Sequence, residues 1–306
     1  MLKCTAAIHD ALTQNIRSSY VNIEPIHSEF TDACGYFTFS GVSKENNELH
    51  HIRAFNPHSS LAKQCPNKAT TLFLQEFAHI CQIAPDFVIP NSLEFYNNNI
   101  CYSVKPTAKP ITLNSSLNIS RLLTRLLNDM KVLSKYGEAD LSAARIFQIQ
   151  RENEPYYFVQ DWAQALSAAE VGKAEDKDAP VDSTQYNQRY NLYNLALSLL
   201  EVDREEKEAL EIHTGKSREE IVQAILQRVE FFGKLKLMPR HKAIFEKILA
   251  KDSKNRLDVE GLHRELEQKN ENEKENENLD LSCSVFSLPG PGLNDSNQTT
   301  SNNSGN

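Results

Sequence analysis

Side chains suited to chemistry concentrate in two short stretches of the 306-residue chain. The first is Glu138-Ala139-Asp140-Leu141-Ser142-Ala143-Ala144-Arg145-Ile146, and the second, after a polar turn, is Tyr157-Phe158-Val159-Gln160-Asp161-Trp162-Ala163. Each carries one aspartate. A positioned carboxylate can accept a proton from an attacking group or hold a divalent cation. An aspartate that follows a Gly-Glu-Ala turn, as Asp140 does, also commonly caps backbone and does nothing chemical. The residue types alone leave both roles open.

These stretches need elements to hold them. Tyr20 to Ile23, Gly35 to Val42 and Leu49 to Phe55 are short β-rich runs separated by Asn-, Ser- and Lys-rich turns, the pattern of a β-meander. Ala69 to Ile83 then places Leu72, Phe73, Phe77 and Ile80 on one helical face, and two further strands, near Leu93 to Tyr96 and Ile100 to Val104, flank the Asn97-Asn98-Asn99 turn. The rest reads as helical. Ile119, Leu122, Leu123, Leu126, Leu127, Met130 and Leu133 recur at three- and four-residue steps after Asn118, a suitable N-cap, with Gly137 as the stop. Further helices are expected over Tyr190 to Val202, Ile221 to Phe232, Ala243 to Ala250 and, beyond Arg256, through Leu266.

At the ends, residues 5 to 19 have the spacing of a short helix ahead of the main domain. Residues 269 to 306, rich in Glu, Asn and Ser, have too little apolar content to order themselves and form a disordered tail, and the apolar island Leu279 to Leu288 within it reads as an unstructured remnant or a docking or secretion signal. The expected organisation is an N-terminal helical extension over 1–19, a β-rich lobe over 20–105, a helical lobe over 106–268 and the tail over 269–306. The polar run Lys173 to Asp178 reads either as a loop or as a disordered stretch.

Composition narrows the partners. With 33 basic and 41 acidic residues the net charge is −8, which argues against nucleic acid. The six cysteines form no C-x-x-C pair and have no histidine at zinc-ligand spacing, so reduced thiols are expected and no structural metal. Neither a signal peptide nor a membrane-spanning run is visible, and the expected location is cytoplasmic.

The order of these landmarks resembles the bilobal protein kinase fold, an α+β fold with a β-rich N-lobe carrying one main helix and a mostly helical C-lobe. In that family a catalytic loop H-R-D-L-x-x-x-N supplies the base and a metal-binding Asn, and D-F-G supplies a metal-binding Asp. Here Asp140-Leu141 falls on the loop, with Glu138, Ala139 and Arg145 in place of its His, Arg and Asn, and Asp161-Trp162-Ala163 falls on D-F-G. The V-A-I-K strand motif falls on His50-His51-Ile52-Arg53, so that Arg53 stands for the phosphate-gripping Lys, with Glu76 on the next helix as its partner. Otherwise Arg53 and Glu76 form an ordinary surface ion pair, worth at most about 1 kcal/mol. The glycine-rich loop is reduced to Gly35. Ala179-Pro180-Val181 resembles A-P-E, Asn191 to Ala196 resembles the D-V-Y-S-L-G helix start, and Arg256 resembles the Arg that pairs with the A-P-E acid, which here leaves Asp182.

The resemblance implies ATP and Mg²⁺ as cofactors, Asp140 as base and Asp161 as metal ligand, with Arg53, Glu76, Gly35 and Arg145 lining the nucleotide site. The substitutions imply weak or absent nucleotide binding. An Arg cation beside a divalent metal is repelled by about 8 kcal/mol at about 4 Å and an effective dielectric of about 20, unless Arg145 replaces the ion and touches phosphate itself. The favoured reading is a degenerate kinase-like domain, a pseudokinase, that binds a protein partner as a scaffold or regulator. A divergent active Ser/Thr kinase using Asp140 and Asp161 is the alternative. A third reading is a non-kinase helical interaction protein, such as a bacterial effector delivered to a host cytosol; a structure without five strands over residues 20–104 would favour it.

Overall fold

The computed structural model describes residues 11–26, 34–97, 99–151, 154–170, 183–212 and 215–267. The expected tail, the polar run Lys173 to Asp178, the A-P-E-like Ala179-Pro180-Val181 and the acid Asp182 lie outside the described residues. Residues through Glu265 make one compact unit.

Strands β1 (Tyr20–Pro25), β2 (Tyr36–Ser43), β3 (Leu49–Phe55), β4 (Glu94–Tyr96) and β5 (Asn99–Val104) form an antiparallel sheet in the order β1-β2-β3-β5-β4. Five strands over residues 20–104 remove the main prop of the third reading, and the α+β architecture is the one expected. Register follows from the two-residue period: Tyr36, Arg53, Phe55 and Tyr102 share one face, with Tyr36 opposite Phe55 and Arg53 opposite Tyr102. Phe37, Phe39, Ile52, Ala54 and Cys101 share the other.

Each face has a cover. Helices α1 (Gln14–Ser19), α2 (Ser60–Gln64) and α3 (Pro66–Ile83) lie around the sheet, and α3 lays Phe73 and Phe77 against Tyr102, at ring-centroid distances of 5.3 and 4.8 Å. The opposite face is closed by the N-terminal segment: Ala11, Leu12, Ile16 and Tyr20 join Phe37, Phe39, Ile52, Ala54 and Cys101 in one buried cluster. The described part of the expected N-terminal extension, residues 11–19, therefore packs into the core of this sheet, and residues 1–10 lie outside the described residues. Its helix starts at Gln14, because the Thr13 hydroxyl accepts the Ile16 amide as an N-cap; Ala11 and Leu12 precede it as buried, non-helical residues.

In the second half, α4 (Ile119–Leu133) starts where Asn118 accepts the Arg121 amide and buries Leu122, Leu123, Leu126, Met130 and Leu133. It ends on Ser134 rather than at Gly137, which lies beyond it in a turn at φ 148°. Strands β6 (Lys109–Pro110), β7 (Ile146–Arg151) and β8 (Glu154–Val159) form a small sheet in that order. Five helices follow: α5 (Trp162–Glu170), α6 (Ser183–Leu199), α7 (Arg204–Glu211), α8 (Arg218–Phe231) and α9 (Pro239–Ile248), with a last helix over 259–267. Helix α7 has no counterpart in the periodicity because only Leu210 is buried; it is set by a capping box between Asp203 and Glu206.

Candidate functional site around Asp161

Strand β8 delivers Asp161 to the edge of the N-lobe. Its end is fixed from α4, where the buried Asp129 accepts the Val159 amide at 2.6 Å and faces His79 Nε2 of α3 at 2.5 Å. Burial alone would lower the His79 pKa, but the hydrogen bond and charge of Asp129 raise it, which favours imidazolium. Neither residue was identified from sequence. The available signal was Asp129 itself, an acid set on the apolar stripe of α4 between Leu126 and Leu133.

Asp161 takes a left-handed backbone at φ 55°. The reason is visible in its neighbours. The Asp161 and Trp162 amides donate to the two carboxylate oxygens of Glu76, at 3.1 and 3.0 Å, so α3 grips the chain on both sides of the turn. The Asp161 carboxylate then points back to β2, where the Gly35 amide donates to both of its oxygens at 3.0 Å, and accepts the Gln164 amide at 2.9 Å. The fit leaves no room for a side chain at position 35: a Cβ there would lie 2.5 Å from both Asp161 Oδ1 and the Ala163 Cβ. Gly35 is thus a glycine because its backbone packs on Asp161 and Ala163.

Arg53 and Glu76 are both buried, at 3 % and 1 % exposure, and stand 3.8 Å apart, so the surface ion-pair reading fails. The Arg53 guanidinium donates to the Tyr102 hydroxyl at 3.0 Å and lies 5.1, 5.7 and 5.6 Å from the ring centres of Tyr36, Phe87 and Tyr102. Three aromatic faces and one carboxylate cage it. Tyr36, in turn, donates to the Gln160 side chain at 3.4 Å, and so spans from β2 to the residue before Asp161.

The electrostatics follow from burial. Desolvation pushes the Glu76 carboxyl up to about 7, against the opposing pull of Arg53. It pushes the Asp161 carboxyl up to about 6, although the Gln164 and Gly35 amides and the Arg145 and Arg53 charges work the other way. Burial alone would lower the Arg53 pKa, but Tyr102, Tyr36 and Glu76 hold it above its ordinary value.

The segment from Glu138 to Arg145 is held by helix α6. Asn191 accepts the Ala139 amide at 2.6 Å and donates to Ser134 Oγ at 3.0 Å, Asn194 donates to the Ala139 carbonyl at 3.3 Å, and Ser198 Oγ accepts the Ala143 amide at 2.6 Å. A 3₁₀ turn over Ala143–Arg145 follows, and the Arg145 carbonyl accepts the Gln160 amide at 2.9 Å. The Arg145 side chain is partly buried, its Nε has no hydrogen-bond partner, and its charge reaches Asp161. Asp140 differs from the other site residues in being exposed; its own amide donates to the Ala165 carbonyl at 3.0 Å. Arg256 donates to the Ala250 carbonyl at 2.9 Å and lies 3.9 Å from the Tyr193 ring centre.

Gly35, Arg53, Glu76, Arg145 and Asp161 therefore converge, and the sequence had placed all five in one site. In this arrangement the Gly35 amide engages Asp161, and Arg53 is ringed by Tyr36, Phe87, Tyr102 and Glu76. No helix among the described residues is long and apolar enough to cross a membrane. No group of three or more His, Cys, Asp or Glu among those residues is placed to hold a metal ion.

No protein-family model matches the chain, and no curated protein matches it. Among solved structures it is similar to a double mutant of the Mycobacterium tuberculosis PknI kinase domain, with 14 % identity over 82 % of this chain and 96 % of that one, at a TM-score of 0.40.

Proposed function

We propose that this chain is a pseudokinase, a kinase-like domain that serves as a binding or scaffolding module and whose nucleotide cleft is closed by its own residues. One observation carries the reading: the Gly35 amide is shared between both oxygens of Asp161, at 3.0 Å each, with backbone packed too tightly to admit even a Cβ. A metal-bound nucleotide approaching Asp161 has to displace that contact. A hydrogen bond to a charged group is worth about 1.5–3 kcal/mol net, and the caged Arg53 would have to leave three aromatic faces to reach phosphate. The Arg145 charge near Asp161 opposes a divalent cation there as well.

The test is a thermal-shift titration with ATP, with and without Mg²⁺ and Mn²⁺, on the wild type, Asp161→Ala and Arg145→Asn, since a ligand of the native state raises the melting temperature. The expected outcome is the same ATP-induced shift, or none, in all three proteins; removing the Arg145 charge leaves Tyr36 and Arg53 in place. A metal-dependent shift present in wild type and lost in Asp161→Ala overturns the reading. So does phosphotransfer that falls to background in both Asp140→Ala and Asp161→Ala, which is what the divergent-kinase alternative requires.

A further inference from the structure

A second concavity lies outside the closed cleft, with a volume of about 510 Å³. Four elements build it. Helix α4 and the turn after it contribute Arg125, Lys131 and Lys135, whose spacing sets them along one side of the helix; the end of β7 contributes Arg151; the last turns of α3 contribute His79. Tyr156 of β8 closes one wall. Among the described residues no Asp or Glu lines it, in a chain whose net charge is −8.

The two arginines are oriented rather than free. The Arg125 guanidinium lies 4.6 Å from the Tyr156 ring centre, and Arg151 Nη1 donates to the Ile83 carbonyl at 2.8 Å. Tyr156 in turn has its pKa raised, by burial first, while Arg125 and Arg151 act to lower it. Among the described residues, the acids beside it are already engaged. Asp129 is buried behind His79 and takes the Val159 amide, while Glu154, which borders an adjoining recess with Arg125 and Arg151, is held by Arg121 at 2.8 Å. Lys131 reaches Glu260 at 3.1 Å, with both side chains at least half exposed, a contact that an anion in the cavity can replace at little cost.

Four permanent cations facing one recess repel one another, and a concave wall of one sign focuses the field of all four on whatever enters. Arginine forks held by packing match phosphate oxygens in pairs, and the lysines add point charges on flexible stems at the rim. The volume falls within the range of small-molecule sites, about 300–1,000 Å³, and the cations come from both sides of the recess, so several phosphates on one compact ligand are served better than one.

We infer that the cavity between α3, α4 and β7–β8 is a binding site for a small polyphosphorylated anion, gripped by Arg125, Arg151, Lys131 and Lys135. The inference does not depend on whether the cleft around Asp161 takes nucleotide.

Sodium tripolyphosphate is the probe, titrated calorimetrically into the full chain at fixed ionic strength, with inorganic phosphate and sulfate as controls. Saturable one-to-one binding is expected, roughly tenfold or more tighter than for phosphate, because more charge-assisted bonds form. In a Lys131→Gln/Lys135→Gln double variant, both at exposed positions that leave the core untouched, affinity is expected to fall by roughly tenfold or more. Arg125→Gln provides a second variant, with its folding checked by circular dichroism, and is expected to weaken binding likewise. Vesicles of phosphatidylcholine with and without a bisphosphorylated inositol lipid form a further arm. Lipid-dependent binding that the double variant loses, alongside saturable tripolyphosphate binding, supports the site with a headgroup as its source. Non-saturating binding, binding that both variants keep, or vesicle binding without tripolyphosphate binding overturns it.

Discussion

At the scale of single residues, Glu76 is the joint on which the site turns. Its two oxygens take the amides of Asp161 and Trp162, and one of them also faces Arg53 at 3.8 Å. A glutamine is nearly the same size but has only one acceptor oxygen, so Glu76→Gln orphans one of the two amides. An unsatisfied buried donor costs about 1–3 kcal/mol. The variant is expected to lose about 2 kcal/mol in urea unfolding at about pH 5, where the Glu76 carboxyl is already neutral and the comparison isolates that lost acceptor. No loss would mean that Glu76 does not grip the turn.

At the scale of elements, the N-lobe sheet shows why an N-terminal segment belongs to the domain. Its strands are apolar on both faces: α3 covers the one that carries Tyr36 and Tyr102, and the other is left to Leu12, Ile16 and Tyr20. Leu12 is 3 % exposed. Leu12→Ala opens a cavity under Phe37 and Phe39 and is expected to cost about 3 kcal/mol by denaturant unfolding, whereas a helix that merely preceded the domain would give close to zero. The Thr13 hydroxyl adds a tie to β4 by donating to Glu94 at 2.6 Å. The same logic puts α6 beneath the 138–145 segment: Asn191, Asn194 and Ser198 lie on one helical face and satisfy backbone groups that a loop beside a core would otherwise leave unmet.

At the scale of the whole molecule, the buried carboxyls tie stability to pH. Glu76 is raised from 4.5 to about 7 and Asp161 from 3.8 to about 6, both chiefly by burial. A raised carboxyl means that the folded state holds protons which the unfolded chain has released, so between about pH 4 and about pH 7 these groups make the fold less stable as pH rises. His79, raised above 6.5 by Asp129 against its own burial, acts in the same direction: its contribution is full below 6.5 and is lost as pH climbs through its folded value. The expected outcome is a urea midpoint lower at about pH 8 than at about pH 5, with a smaller difference in Glu76→Gln. Equal midpoints would mean that the interior hydrates these carboxyls.

Much of this was legible in the chain because periodicity is local. The alternation in Tyr36–Ser43 and Leu49–Phe55 and the three- and four-residue steps in Ile119–Leu133 state which side of each element is buried, and the order of those elements implied the α+β architecture. Arg53, Glu76, Gly35, Arg145 and Asp161, with Asp140, were expected in one site only because their motifs resemble those of the kinase family. What their contacts are was decided only by the tertiary structure. The Gly35–Asp161 hydrogen bonds join residues 126 positions apart, and the absence of room for a side chain at position 35, where a Cβ would meet Asp161 Oδ1 and Ala163 Cβ at 2.5 Å, is visible only once those segments meet. Asp129 and His79, the role of Leu12 and the cationic cavity were out of reach for the same reason: each is a meeting of surfaces from separate elements, set by long-range packing that a pattern along one segment does not encode.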